Sequence, residues 1–289
     1  MLSALRARLP QRGRAAAAVL LVLVLAALLA PWIAPYDPNA QPDIVALKDL
    51  APSLAHPFGT DPFSRDVLSR VIYGARISLS VAALATAIAI TLGTAYGAIA
   101  GYVGGVPDTI LMRIVDAMLA IPRVILLIAL VALWHSLPLW MLIVVLGATG
   151  WFGLSRLVRA QVMTIRDLDY VRAAGALGAS GWRILTRHVL PNVLPTVIVA
   201  ATLGVGQVIL LEAGLSYLGL GVQPPTASWG NIIQDGADQV ATLWWVSLFP
   251  GLLIVTTAIA CTALGEALEA ALDPHRRTRH GAQRSNRAA

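Results

Sequence analysis

Residues 170–191 read YVRAAGALGASGWRILTRHVLP and form the only sizeable polar connection between apolar segments in the second half of the chain. Arg172 and Arg187 are two of its three arginines. Because Lys and Arg accumulate on the cytoplasmic side of membrane proteins, we expect a cytoplasmic loop. Gly178 can adopt the left-handed conformation that ends a helix, and Ser180 is a good N-cap for the next one. The stretch therefore predicts a short helix, a corner and a second helix.

The composition excludes a soluble globular protein. Hydrophobic residues make up 57% of the 289 residues, charged residues make up 12%, and the mean hydropathy is +0.74. A chain of this kind indicates a polytopic membrane protein. The net charge of +6 does not indicate a nucleic-acid partner, because the basic residues flank apolar segments without interleaved aromatic side chains. Cys261 is the only cysteine, which excludes an internal disulfide and a thiolate metal site.

Six apolar segments have the length and composition of membrane-spanning helices. We predict an all-α, polytopic membrane protein with six transmembrane helices, at about residues 15–34, 77–101, 110–134, 139–158, 193–216 and 243–265. The first apolar run is long for a signal peptide and lacks a clean cleavage site, so we interpret it as a span. The positions of the arginines predict that both termini are cytoplasmic.

This topology divides the chain into three parts. Residues 1–76 comprise the N-terminal cytoplasmic tail, the first span and an extracytoplasmic loop. Residues 77–272 form the transmembrane core of five helices, with a cytoplasmic loop at 159–191, and residues 273–289 form a basic cytoplasmic tail.

Three patterns predict how the spans pack. A spacing of four places Gly93, Gly97 and Gly101 on one helical face, where a neighbouring helix can approach closely. Arg113 and Asp116 are three residues apart, and we expect them to form an ion pair. An apolar stripe opposite charged residues predicts an amphipathic helix continuous with the fourth span; its members are Val158, Val162, Ile165 and Leu168.

The residues required by several kinds of catalysis are missing. Lys48 is the only lysine and no glycine-rich loop precedes it, so the chain is not itself a P-loop ATPase. Ser180 lies in a Gly-x-Ser-Gly sequence like that of rhomboid-type intramembrane proteases, but an arginine-rich loop is a poor place for a nucleophile that needs a histidine in the membrane. His275 and His280 have no partner at metal-ligand spacing, and we expect them to be solvated.

The stretch at 170–191 resembles the signature of the membrane subunits of bacterial ATP-binding-cassette (ABC) importers. Ala173, Ala174, Gly178, Leu190 and Pro191 fall on that pattern in register, whereas Arg172 replaces its Glu and His188 replaces its Ile. In that family this loop is the coupling helix, which sits in a cleft of the ATPase subunit. The resemblance implies ATPase-coupling roles for Arg172, Ala173, Ala174, Gly175, Leu177 and Gly178.

Three further segments resemble the C-type permease subunit of dipeptide and oligopeptide importers. They are HPFGTDPFSRDVLSRVIYGARISL at 56–79, LMRIVDAMLAIP at 111–122 and LSYLGLGVQPPTASWGNIIQDG at 215–236. The resemblance implies the type I ABC importer permease fold in the bacterial inner membrane. It also implies a second, different permease, two ABC ATPases that bind ATP and Mg, and an extracytoplasmic substrate-binding protein as partners, with no cofactor bound by this chain.

Polar and charged residues within the spans and in the outer motifs set the candidate site residues, and Arg123 departs from the apolar run usual in that family. Along the pathway we select Arg123, Gln207 and Glu212; Glu212 either binds the amine of a peptide or hydrogen-bonds neighbouring helices. For contact with extracytoplasmic partners we select Asp61, Arg65, Asp66 and Trp229. Indoles prefer membrane interfaces, so Trp229, Trp244 and Trp245 are expected at the outer one.

The sequence leaves open more than one cargo and more than one energy source for transport. Dipeptides and oligopeptides are the cargo that the resemblance implies, while nickel chelates, glutathione or haem are carried by related systems. An ion-coupled secondary transporter is the main alternative function, and it normally has two related halves with ionisable groups at the bilayer midplane. Neither feature is clear in this sequence. A membrane protease using Ser180 is the third hypothesis.

Overall fold

The computed structural model describes residues 10–134 and 137–272, and we number their α-helices α1 to α12. These are Gln11–Leu28 (α1), Ala30–Ile33 (α2), Val67–Val103 (α3), Gly105–Leu119 (α4), Arg123–Ala132 (α5), Leu139–Ala148 (α6), Phe152–Arg166 (α7), Asp169–Ala176 (α8), Gly181–Ile184 (α9), Leu190–Tyr217 (α10), Trp229–Asp235 (α11) and Trp244–Leu272 (α12). The predicted roles of the basic tail at 273–289, with His275 and His280, lie outside the described residues.

Four helical stretches are long and apolar enough to cross a membrane alone. They are α1, α3, the continuous stretch Gly181–Tyr217 and α12. Two bent helix pairs pass the same test together, with angles of 79° between α4 and α5 and 43° between α6 and α7. The described residues therefore contain four candidate spans, or six if each bent pair crosses once, near the predicted positions.

The third and fourth candidate spans are broken helices, so the amphipathic stripe is continuous only with the second part of the predicted fourth span, in α7. Pro122 has no N–H to donate, and α5 begins immediately after it. The second break lies at residues 149–151, between α6 and α7. The amphipathic stripe itself is confirmed on α7, where Val158, Val162 and Ile165 are buried, but Leu168 lies beyond the helix and is exposed.

Helix α3 is the centre of the bundle, and it contacts α1, α6, α7 and α10. Its small-residue face is confirmed, since a Cβ atom on Gly97 would lie 2.3 Å from the carbonyl oxygen of Ser155 on α7. Cβ atoms on Gly93 and Gly101 would lie 2.9 and 2.7 Å from the carbonyl oxygens of Trp151 and Arg159. The pairing places α3 and α7 side by side in the same direction, so their C-terminal ends lie together.

The bundle has two ends of different character. The loop end carries residues 34–66 and 218–243, which contact each other where Arg65 donates to Asp235 at 2.7 Å. The hairpin end carries residues 166–189. Helix α12 runs antiparallel to α10, since Gly206 lies against Cys261 and Gly265 against Leu203. The C-terminal end of α12 is therefore at the hairpin end.

The indoles at the loop end correct a prediction. Trp229 is completely buried and its indole N–H donates to the carbonyl of Val71 at 3.1 Å, while Trp245 is 5% exposed. Both indoles satisfy their donors inside the protein, so neither is exposed to a membrane interface. Only Trp244 of the three is exposed.

Candidate functional site

The hairpin formed by α8 and α9 projects from the bundle. Helix α8 ends in a Schellman motif, because Gly178 N–H donates to the carbonyl of Gly175 at 3.0 Å and Ala179 N–H donates to that of Ala174 at 3.1 Å. Gly178 has φ +85°, the left-handed conformation predicted from the sequence. Ser180 occupies the N-cap position of α9 as predicted, but its side chain makes no capping hydrogen bond.

The hairpin buries one side and exposes the other. Val171 of α8 and Ile184 of α9 pack with Val158 and Val162 of α7 in one apolar cluster. The outward side shows Leu177, 89% exposed, and Trp182, 74% exposed. The apolar cluster at the base orients the hairpin. The large apolar side chains at its tip have no partner within the described part of the chain. Such a tip is typical of a surface that another protein covers.

The six predicted coupling residues all lie on α8 or at its end. Five are exposed and Ala174 is partly buried; the exposed ones are Arg172, Ala173, Gly175, Leu177 and Gly178. Arg172 donates to Asp167 at 3.2 Å, an ion pair in which both side chains are more than half exposed. An exposed pair of this kind contributes little to stability. A Cβ atom on Gly178 would meet no atom of the described residues within 4 Å, so this part of the chain leaves the corner open.

Helix α7 fixes the base of the hairpin to the rest of the bundle. Arg166 donates to the carbonyls of Gly101 at 2.8 Å and Tyr102 at 3.0 Å, which would otherwise be unpaired at the end of α3. Arg159 forms a two-pronged ion pair with Asp108 of α4. Bidentate pairs of this type are directional as well as attractive, so α3, α4 and α7 are tied together at this end.

The expected ion pair between Arg113 and Asp116 is absent among the described residues. Asp116 instead accepts from Arg156 of α7. Residues three apart on one helix can meet, but a partner on the neighbouring helix is equally near once α4 lies against α7. The sequence alone gave no reason to choose Arg156.

A cavity of about 290 Å³ lies in the middle of the bundle. Two predicted pathway residues line it: Arg123 at the start of α5 and Gln207 of α10. Helix α7 contributes Gly153, Leu154 and Leu157 to the same wall. The helix that carries the hairpin therefore also borders the cavity.

Glu212, the third pathway candidate, lies elsewhere. It is completely buried, and its carboxylate accepts from Ser78 of α3 at 2.8 Å and from Ser216 at 2.7 Å. The backbone N–H of Trp229 in turn donates to the Ser78 hydroxyl at 3.2 Å. Glu212 thus joins α3, α10 and α11, which is the second of the two alternatives given for it, and it does not line the cavity around Arg123.

The candidates for extracytoplasmic contact are buried inside the subunit. Asp61 is 0% exposed, and its carboxylate accepts from the Arg65 side chain at 2.6 Å. Arg65 and Arg70 both donate to Asp235 of α11, at 2.7 and 2.9 Å. Trp229 is also fully buried, as described above. These side chains hold the loop end together and present no surface to a partner in this structure.

Two features complete the polar network of the loop end. Asp66 caps α3 by accepting from the backbone N–H of Ser69 at 2.8 Å, and it lies 2.9 Å from a ring nitrogen of His56. Burial raises the pKa of the Asp235 carboxyl above its ordinary value, while the guanidinium groups of Arg70 and Arg65 act in the opposite direction. Burying this carboxylate is costly unless its partners are in place.

Sequence reasoning missed several residues that organise these sites. Asp235, Ser78 and Asp108 each pair with residues 50 to 170 positions away, and no local pattern marks such a partner. A signal did exist for Arg166, because a basic residue just after an amphipathic stripe is a candidate for the open carbonyls of a neighbouring helix.

Comparison with known proteins places the chain among transport permeases. The family model described as binding-protein-dependent transport system inner membrane component matches residues 93–278, and the N-terminal TM domain of oligopeptide transport permease C matches residues 13–55. The dipeptide transport system permease protein of Bacillus subtilis strain 168 is 41% identical over 89% of this chain and 79% of its own length.

Two further relatives have similar coverage. The probable D,D-dipeptide transport system permease protein of Escherichia coli K12 is 40% identical over 89% of this chain and 86% of its own length. The oligopeptide transport system permease protein of Haemophilus influenzae is 37% identical over 91% of this chain and 85% of its own length. The matches extend over both ends of the bundle.

Proposed function

This chain belongs to the family of binding-protein-dependent transport system inner membrane components, and from that premise we propose that its hairpin couples peptide transport to ATP hydrolysis by partner chains. It is a multi-pass inner-membrane protein and the non-catalytic permease subunit of a peptide ABC transporter of the dipeptide and oligopeptide type. A substrate-binding protein and other transporter components are its partners. The transport activity follows from the family, and the geometry supports different roles for the loop end and the hairpin end of the bundle.

The complete transporter, in this proposal, contains a second permease that differs from this one and two ABC ATPases. Helices of this one subunit border the cavity around Arg123, and the cavity is open on the side where Gln207 is exposed. In the proposal, this subunit therefore forms half of the transport pathway. A paired permease would close it. The substrate-binding protein delivers cargo at the loop end, and the ATPases bind at the hairpin end.

The exposed apolar tip of the hairpin is the observation that supports ATPase binding most strongly. Leu177 and Trp182 stand on a rigid Schellman corner, outside the apolar core that orients it. Apolar and aromatic side chains at the centre of an interface carry much of the binding energy. Arg172, Ala173, Ala174, Gly175 and Gly178 complete the contact surface and let the ATPase approach the backbone closely.

The proposed topology puts the hairpin and both termini in the cytoplasm. The hairpin end has an excess of arginine, including Arg172, Arg183 and Arg187, which matches the bias of cytoplasmic loops. The end of α12 lies at the same end as the start of α10. An N-terminal helix that crosses from this end to the loop end is consistent with the contacts between α1 and α12.

Helix α7 provides the mechanical link in this mechanism. ATP binding would close the two ATPases on each other and move the hairpin with them. The movement would pass through the Arg166 and Arg159 contacts to α3 and α4, and along α7 to the cavity wall at Gly153 and Leu157. Alternating access then follows as rigid-body tilting of packed helices.

Peptides are the cargo that the relatives' names support, with dipeptides first. Nickel chelates, glutathione or haem stay as alternative cargoes, and selection would depend largely on the binding protein. An ion-coupled secondary transporter would need no ATPase, so the same experiment separates that alternative from the proposed one.

Co-purification tests the proposal. The tagged chain, isolated in mild detergent, should bring nucleotide-hydrolysing chains with it, and Leu177→Asp should lose them because it places a charge at the centre of an apolar contact. Leu54→Asp is the matched control, since Leu54 is fully exposed at the loop end. Loss of the ATPase chains from both variants, or from neither, would contradict the proposed role of the hairpin.

A further inference from the structure

Among the residues that the structure describes, the guanidinium of Arg123 in the cavity beside α5 has no counter-ion. Arg123 donates through one Nη atom to the carbonyl of Leu146 at 2.9 Å. Within residues 10–134 and 137–272, its Nε is buried without a hydrogen-bond partner, and the guanidinium forms no ion pair with Asp or Glu. A charged side chain at membrane depth is costly, and it is usually paired with another group or lies on a substrate or ion pathway.

The neighbouring groups suit an anion. Thr86 is 4% exposed and lines the same cavity, and its hydroxyl has no partner in the described part of the chain. Gln207 contributes an exposed amide. Arg123 is also the first residue of α5, so the positive end of that helix adds to the potential. No Asp or Glu is among the described residues that line the cavity.

The remaining wall is apolar and closely shaped. Ala89, Leu154 and Leu203 contribute alkyl surface, and the backbones of Gly150 and Gly204 lie close to the side chains of Arg123 and Thr86. A Cβ atom on Gly150 would lie 2.8 Å from an Arg123 Nη atom, so this glycine makes room for the guanidinium. The cavity can therefore take a small molecule with one carboxylate and a short apolar body.

We propose that Arg123 binds the terminal carboxylate of the transported peptide inside the membrane, with Thr86 and Gln207 as further hydrogen-bond donors. The inference rests on the proposed function for the choice of peptide as the anionic cargo. A guanidinium makes two parallel hydrogen bonds to a carboxylate, and these are stronger in a water-poor site than at the surface. A C-terminal carboxylate is common to all linear peptides, so the site would accept different side chains.

Chemical protection at Arg123 tests this directly. The whole transporter is placed in lipid nanodiscs and treated with phenylglyoxal, which modifies accessible guanidinium groups, and the extent of modification at each arginine is read by mass spectrometry. L-alanyl-L-alanine should slow modification of Arg123 in a saturable way. Its C-terminal amide, which lacks the carboxylate, should not, and modification of exposed Arg113 should be the same with either peptide.

Transport variants supply a second measurement. Arg123→Gln should lower dialanine uptake by about tenfold or more, the fold-change expected for losing a hydrogen bond to a charged group. Arg123→Lys should retain part of the uptake because it keeps the charge, and Arg113→Gln is the matched control that should transport normally. In each variant the ATPase chains should still co-purify.

Three results would overturn the proposal. They are equal protection of Arg123 by dialanine and its amide, no protection by either, and normal dialanine uptake by Arg123→Gln. Arg123→Gln could also fail to assemble while dialanine gives Arg123 of the parent no carboxylate-dependent protection from phenylglyoxal. That pair of results would show that Arg123 binds a carboxylate of the second permease instead. The proposed function fails separately, if the parent chain brings no ATPase with it.

Discussion

The loop end and the hairpin end of this bundle use charge in opposite ways. At the loop end, Asp61, Arg65 and Arg70 are buried, Asp235 is partly buried, and the four side chains form ion pairs with one another. At the tip of the hairpin, the ion pair of Arg172 is exposed and the prominent side chains are apolar. The conspicuous charged motif therefore maintains the fold, while the small and apolar residues form the surface available to a partner.

The comparison predicts that changes at the loop end reduce stability, while changes at the hairpin reduce transport in a protein that remains folded. Arg70→Ala should have the largest effect on stability, about 3–5 kcal/mol, because it removes a buried cation and leaves Arg65 as the one charged partner of both Asp61 and Asp235 among the described residues. Thermal unfolding of the purified protein measures this. Lys48→Ala removes a partly exposed cation from the same loop and should change little. Equal effects of the two would break the comparison.

Gly97→Ala should have the next largest effect, about 1–3 kcal/mol of destabilisation, because its methyl group would collide with the backbone of Ser155. Gly251→Ala is the matched control. It lies within helix α12, and its Cβ atom would meet nothing within 4 Å, so the change should be neutral or stabilise by up to about 1 kcal/mol. Unfolding temperatures of the pair decide whether the face of α3 is in contact with α7 as described.

Gly178→Asp should cost only about 1 kcal/mol, since Asp tolerates the left-handed conformation better than most residues, yet it should abolish transport. The measurement is peptide uptake together with the amount of protein in the membrane. Gly105→Asp is the matched control, with φ +61° and open space at the same end of the bundle. Uptake by Gly178→Asp at the parental rate would contradict a docking role for the corner.

Arg172→Ala should have the smallest effect on stability, within about 0.5 kcal/mol, because the pair with Asp167 is exposed. Its effect on transport sharpens the comparison. If apolar contact dominates the interface, uptake should fall much less than in Gly178→Asp. A loss as complete as that of Gly178→Asp would show that charge contributes as much at the hairpin as it does at the loop end.

The sequence predicts local geometry well where one residue type decides it. Gly178 fixes the corner of the hairpin through its backbone freedom, and the spacing of Gly93, Gly97 and Gly101 fixes a packing face through the helical period. Neither inference needs knowledge of the partner, which is why both are confirmed.

Contacts between distant segments could not be predicted in the same way. Arg65 meets Asp235 across 170 positions, and Asp116 meets Arg156 across 40. The choice among possible partners depends on which helices become neighbours. The breaks after α4 and α6 were missed for a related reason, because mean hydropathy continues through a bend, and the burial of Trp229 was missed because an indole suits a core as well as an interface.

Crosslinking from the tip of the hairpin tests the central claim most directly. Leu177→Cys is placed in a Cys261→Ala background, as is Leu54→Cys at the loop end, and each is labelled with benzophenone maleimide in native membranes and irradiated. We expect the cysteine at position 177 to capture a nucleotide-hydrolysing protein and the cysteine at position 54 to capture none. Capture of that protein from position 54, or from neither position, would contradict the assignment of the hairpin as the contact with the ATPase.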